Sequence, residues 1–160
     1  MSYYDLEPQK RSNIFRHPGF QVGLVGGLIM ILVSLAVFFM NGADTDGDVL
    51  VWIIQLVVYL FLARIAATRQ ADLQSRSFEP TRGIQSAGVG APLITSLMMW
   101  SFIIIRGLVR DAMGMTIEIR PISFCGWIVL DVILALVIGG VVGRSVVKQH
   151  ESNPYDTSNF

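Results

Sequence analysis

Four long apolar stretches alternate with polar segments along this chain of 160 residues. The hydrocarbon core of a bilayer, about 30 Å thick, needs roughly 20 helical residues to cross it, and each stretch is about that long. The pattern therefore predicts an all-α fold, a four-helix transmembrane bundle with antiparallel neighbours. We number the predicted spans 1 to 4; they cover about residues 20–40, 49–67, 91–110 and 122–143.

The polar segments predict one membrane domain with a tail at each end. Residues 1–18 form the expected flexible N-terminal tail, residues 19–147 the membrane domain, and residues 148–160 the C-terminal tail. Residues 68–90 form the expected long loop between spans 2 and 3, and the helix of span 2 is expected to continue into its first part. Pro92 suits the first turn of span 3, where a missing N–H costs nothing.

Basic residues are distributed unevenly between the two sides of the predicted bundle. Nine Lys and Arg lie on the side with both tails and residues 64–90, against three on the other side. Because cytoplasmic loops are enriched in Lys and Arg, we predict cytoplasmic termini and a location in the plasma (inner) membrane. The cytoplasmic basic segment could bind anionic lipid headgroups, dock a partner, or only set the topology. Its arginines are Arg64, Arg69, Arg76 and Arg82.

Composition argues against several classes of function. Charged residues make up 15% of the chain, against about a quarter in soluble domains, and a formal net charge of zero gives no reason to expect nucleic-acid binding. The single cysteine, Cys125, and two histidines outside the spans, His17 and His150, do not build a familiar metal site. The common nucleotide-binding, hydrolase and protease motifs are absent. We therefore expect no enzyme activity, no cofactor and no metal.

Asp131 is the one carboxylate expected inside the membrane. It lies about eight residues into span 4, where an ionised side chain costs about 2.5–3.5 kcal/mol on insertion scales. Such a residue should therefore face the interior of the protein. Ala135, Gly139 and Gly143 follow it at intervals of four and share its helix face, which favours close packing against another helix. The pattern predicts that span 4 turns Asp131 inward.

Two further polar residues are expected at a depth similar to that of Asp131. Arg106 lies near the outer end of span 3, and Gln55 lies about six residues into span 2. Gln55, Arg106 and Asp131 thus predict a cluster in the outer half of the bundle. One interpretation is an ion pair between Arg106 and Asp131 that fixes the helix register; another is a polar pocket used for an ion or a proton. Arg106 could also extend to the outer interface.

Small residues also form a face on span 1, where Gly23 and Gly27 continue a spacing of four that begins at Gly19. Such faces allow membrane helices to approach closely. They could serve self-association or a partner protein, or they could pack span 1 against span 4 or span 2 within the chain.

These features favour a structural or accessory subunit of a membrane assembly, which packs against other membrane proteins or against itself. The alternative is a small oligomeric transporter or channel that uses Gln55, Arg106 and Asp131. Short outer loops and the absence of catalytic motifs favour the first interpretation, and the intramembrane carboxylate favours the second.

Overall fold

A computed structural model describes residues 14–41, 49–74, 82–114 and 121–152 of the chain. Most of the two predicted tails, and Arg76 of the basic segment, lie outside the described residues.

The described chain forms four long α-helices after one short 3₁₀ turn at Ile14–Arg16. All four helices are long and apolar enough to cross a membrane, and no strand occurs in the described ranges. The structure therefore confirms the all-α fold and the four spans expected from the apolar stretches. The helices are α1 (Pro18–Asn41), α2 (Val49–Gln74), α3 (Arg82–Ala112) and α4 (Pro121–Ser152).

Helix α3 begins well before the apolar stretch that predicted it. The loop expected over residues 68–90 is helical up to Gln74 and again from Arg82 onwards. Pro92 is consequently the eleventh residue of α3 and not part of its first turn, which corrects the sequence prediction. Glycines and polar residues made this segment resemble a loop, but packing of Gly88 against α4 stabilises it as a helix.

Helices α2 and α3 form the centre of the bundle, and each contacts all three other helices. Helices α1 and α4 lie on opposite flanks and make no contact with each other within the described residues. Of the two intrachain partners considered for span 1, span 4 is therefore not in contact with it, whereas span 2 is. Helix α1 packs mainly on α3 and also touches α2.

The glycine face of α1 is used for contact with α3. A Cβ atom built at Gly19 would lie 2.8 Å from the carbonyl oxygen of Ala87, and one at Gly23 would lie 2.8 Å from that of Ala91. At Gly27 the added atom would overlap the side chain of Met98. Because backbone atoms cannot move aside cheaply, a larger residue at Gly19 or Gly23 would force the two helices apart.

Small residues also bring α4 close to α3. A Cβ atom at Gly139 would lie 2.6 Å from the Cα atom of Val89 and 2.7 Å from the carbonyl oxygen of Gly88. The Gly88 carbonyl is the one that Pro92 leaves without its usual helical donor, since proline has no N–H. Gly143 approaches the backbone of α3 in the same way one turn further along.

Candidate functional site

The close contact between α3 and α4 determines where Asp131 points. Asp131 lies near the middle of the apolar stretch 122–143, two helical turns before Gly139, and Ala135 between them is fully buried. Since residues four apart share a helix face, Asp131 faces the same neighbours as these small residues. Its side chain is 2% exposed.

Four uncharged side chains donate hydrogen bonds to the Asp131 carboxylate. Gln55 Nε2 donates to Oδ1 at 2.9 Å, and the Tyr59 hydroxyl donates across both oxygens at 3.2 and 3.1 Å. Ser96 Oγ donates to Oδ2 at 2.6 Å, and Trp100 Nε1 donates to Oδ2 at 2.9 Å. Gln55 Nε2 also donates to the Tyr59 hydroxyl at 2.6 Å. We call these five residues the Asp131 network.

The network joins three helices through pairs of residues one turn apart. Gln55 and Tyr59 are four residues apart on α2, and Ser96 and Trp100 are four residues apart on α3. This spacing places both members of each pair on one helix face, which the packing turns towards α4. Tyr59 and Ser96 are fully buried, and Gln55 is nearly so.

The arrangement matches the hydrogen-bonding capacity of an ionised carboxylate. A carboxylate has about four lone-pair sites and accepts only, whereas an indole N–H donates only. The four donors match these sites in number: Gln55 donates to Oδ1, Ser96 and Trp100 donate to Oδ2, and Tyr59 is shared between the two oxygens. Hydrogen bonds to a charged acceptor are shorter and stronger than those between neutral groups, and the Ser96 contact has the short distance typical of them.

Sequence reasoning placed Gln55 and Asp131 at the same level, and the structure brings them into contact. It missed Tyr59, Ser96 and Trp100, because a hydroxyl or an indole in a membrane helix is also typical of interfaces and lipid contacts. One signal for these residues was available in the sequence. Spans 2 and 3 each contain two residues with polar groups four positions apart, at the predicted depth of Asp131.

Arg106 lies on α3, six residues beyond Trp100, which corresponds to about 9 Å along the helix axis. It is half-buried and has interactions of its own. The described hydrogen bonds to Asp131 come from uncharged groups on α2 and α3. The ion pair between Arg106 and Asp131 stays a prediction.

Two aromatic pairs lie next to the Asp131 network, on the side towards the end of the bundle where α4 begins. Trp52 and Trp127 pack edge to face with ring centroids 5.3 Å apart, which links α2 to α4. Trp100 and Phe124 pack in the same way at 5.4 Å, which links α3 to α4. The second pair also holds the Trp100 indole, and therefore its N–H, in position next to Asp131.

Basic residues collect at the opposite end of the bundle. The exposed residues there are Arg16 before α1, Arg64 and Arg69 on α2, and Arg144 and Lys148 on α4. Arg82 begins α3 at the same end. The other end contains Arg106 and Arg110 among its described residues. The helices thus bring the two ends of the described chain and the basic segment to one side.

The Asp131 network links α2, α3 and α4 through hydrogen bonds to one carboxylate. Among the described residues, no group of three or more His, Cys, Asp and Glu side chains could hold a metal ion. In comparisons with known proteins, no family model, no curated protein and no solved structure matches the chain.

Proposed function

We propose that this protein is a non-enzymatic subunit of a membrane assembly, in which it binds another membrane protein or a second copy of itself through the outward face of α4. Within the four helices, the buried carboxylate and the close-packing helix faces already have partners. The carboxylate has its donors, and the close-packing faces of α1 and α4 are occupied by α3. This unit can therefore act as a preformed partner.

One observation carries the proposal: α4 has glycines on two sides, and only one side is occupied. Gly139 and Gly143 touch the backbone of α3, whereas a Cβ atom at Gly140 or Gly126 would meet nothing within 4 Å. Val129, Ile133 and Leu136 are exposed large apolar residues on this outward face. A glycine within an apolar membrane-helix surface allows another helix to approach closely.

The charge distribution supports one orientation of the subunit in the membrane. Exposed Arg and Lys residues at one end of the bundle favour the cytoplasmic side for that end and for both termini, and we propose the plasma membrane as the location. The same residues offer favourable contacts to anionic lipid headgroups, worth about 1 kcal/mol for each basic residue near the surface. Lipid binding there would orient the subunit within its assembly.

The test compares substitutions on the outward face of α4. Gly140→Leu should leave the melting temperature of the purified protein unchanged but reduce its cross-linking to partners in native membranes. Val137→Leu is the matched control, because Val137 is exposed and already bulky, and it should change neither property. Unchanged cross-linking in Gly140→Leu, with folding intact, would refute the proposed interface.

A second candidate is a small oligomeric transporter or channel that uses Gln55, Arg106 and Asp131. The observation that favours it is the burial of Asp131 near the middle of the apolar stretch, since intramembrane carboxylates often mark ion or proton pathways. Flux measurements in proteoliposomes separate the candidates. A proton or cation flux that Asp131→Asn abolishes without loss of folding would favour transport over the subunit role.

A further inference from the structure

We propose that the groove between α1 and α2, at the basic end of the bundle, binds one anionic phospholipid, whose phosphate is held by Arg16 and Arg69. This inference rests on the lipid contact proposed above, which it narrows from a general attraction to a single site. It is independent of the interface proposed on α4. The evidence is the position of the two arginines relative to the contact between α1 and α2.

Two contacts establish which residues of α1 and α2 lie opposite each other. A Cβ atom built at Gly26 would overlap the side chain of Leu62, so these two residues are at the same level. Four residues earlier in α1 and four residues later in α2, Val22 and Ala66 belong to one buried cluster. The two helices are therefore antiparallel, and the start of α1 lies beside the end of α2.

Counting from this contact places Arg16 and Arg69 close together. Arg16 lies ten residues before Gly26, and Arg69 lies seven residues after Leu62. The difference of three residues corresponds to about 5 Å along the helix axis, which two long arginine side chains can span. Arg69 also lies two turns after Leu62, on the helix face that packs against α1. Both arginines are exposed, so one anion can reach both of them.

Local contacts hold the turn that contains Arg16. Gln21 Nε2 donates to the carbonyl oxygen of Phe15 at 3.2 Å, and the rings of Phe15 and Phe20 pack edge to face with centroids 5.2 Å apart. The backbone N–H groups of Phe20 and Gln21 donate to the carbonyl oxygen of His17. The backbone at Arg16 is thus tied to α1, which lowers the entropy cost of binding a ligand there.

The groove becomes apolar towards the centre of the membrane. Ile65 lies one turn before Arg69 on α2, and Val25 lies at a similar level on α1. Each follows a residue of the contact between the two helices by three positions, Leu62 for the first and Val22 for the second. Both side chains are exposed. The groove therefore offers an apolar surface that ends at two positive charges.

This combination fits a phospholipid better than a soluble anion or an acidic protein segment. The planar guanidinium groups of arginine suit the oxygens of a phosphate. An acidic segment would match Arg16 and Arg69 but would leave Ile65 and Val25 uncovered, whereas an anionic phospholipid provides both a charged headgroup and acyl chains. Asp72, three residues after Arg69, has an interaction of its own, and the two arginines outnumber it.

The test measures lipid binding to the full-length protein in neutral detergent by native mass spectrometry. The probes are phosphatidylglycerol and phosphatidylcholine with identical acyl chains. We expect the wild type to bind one phosphatidylglycerol more tightly than phosphatidylcholine. Arg16→Gln and Arg69→Gln should each weaken this step about tenfold, because each removes charged hydrogen bonds to the phosphate. Equal binding of both lipids by the wild type would overturn the proposal.

Arg144→Gln is the matched control. It removes the same charge from α4, which makes no contact with α1 within the described residues, and it should weaken binding clearly less than the other two changes. Equal weakening by all three variants would refute the single site and leave the general lipid attraction intact. Displacement of the bound lipid by excess inorganic phosphate would show that the arginines bind a soluble anion, and this would contradict the phospholipid assignment.

Discussion

Replacing Gly139 with alanine should destabilise the bundle, whereas the same change at the adjacent Gly140 should not. The two residues lie in the same helix at the same depth and differ only in the side they face. An added Cβ atom at Gly139 would lie 2.6 Å from the Cα atom of Val89, while at Gly140 it would meet nothing within 4 Å. The pair therefore separates the effect of helix contact from that of helix propensity.

The size of the effect follows from these distances. Non-bonded carbon atoms in van der Waals contact lie about 3.5–4.0 Å apart. Relief of the Gly139→Ala clash therefore requires α4 to move about 1 Å away from α3. Overpacking of this kind costs about 1–3 kcal/mol. The same movement would lengthen the Ser96 and Trp100 contacts to Asp131, now 2.6 and 2.9 Å, beyond hydrogen-bonding distance. Each such bond contributes about 0.6 kcal/mol in membrane proteins.

Helix propensity opposes part of this loss. Alanine stabilises a helix relative to glycine by about 0.5–1 kcal/mol, at either position. The net expectation is a destabilisation of about 2 kcal/mol for Gly139→Ala and a gain of up to about 1 kcal/mol for Gly140→Ala. Unfolding in mixed micelles, followed by tryptophan fluorescence, measures both. Equal stability of the two variants would refute the close contact between α3 and α4, and with it the reason that Asp131 faces inward.

Two further predictions concern topology and Arg106. With Cys125 replaced by serine, new cysteines at Thr45 and Ser123 should react with an impermeant thiol reagent from outside intact cells, and one at Ser75 should not; labelling of Ser75 would overturn the predicted orientation. Arg106→Gln and Asp131→Asn should each lower the melting temperature, and the double variant should recover part of the loss if the predicted ion pair forms. Strictly additive losses would exclude that pair.

The sequence predicted the parts of the fold that depend on length and on local spacing. Four spans follow from apolar stretches that match the thickness of a bilayer. The inward direction of Asp131 follows from the small residues that share its face, and the structure places this face against α3. Both inferences need only the geometry of a single helix.

Features that depend on contacts between helices were not accessible in this way. Side-chain packing decides which spans are neighbours. The pattern of apolar and small residues along the chain therefore did not show that α1 contacts α3 rather than α4. Tyrosine and tryptophan are common at membrane interfaces, so Tyr59 and Trp100 did not stand out in the sequence. They donate hydrogen bonds to Asp131 because α4 packs close to them. The sequence suggested that Pro92 begins a helix. Pro92 instead lies inside α3, where contacts with a neighbouring helix, which the sequence does not show, make a proline acceptable.

The claim that uncharged donors hold Asp131 and thereby connect the central helices is tested most directly by a double-mutant cycle between Ser96→Ala and Asp131→Asn. The two side chains meet at 2.6 Å, so their effects on the free energy of unfolding should not add. We predict a coupling energy of at least about 0.6 kcal/mol, the average for hydrogen bonds between membrane helices, and at most about 1.7 kcal/mol, the largest such value. Additivity within about 0.3 kcal/mol would show that the two groups do not interact and would contradict the account.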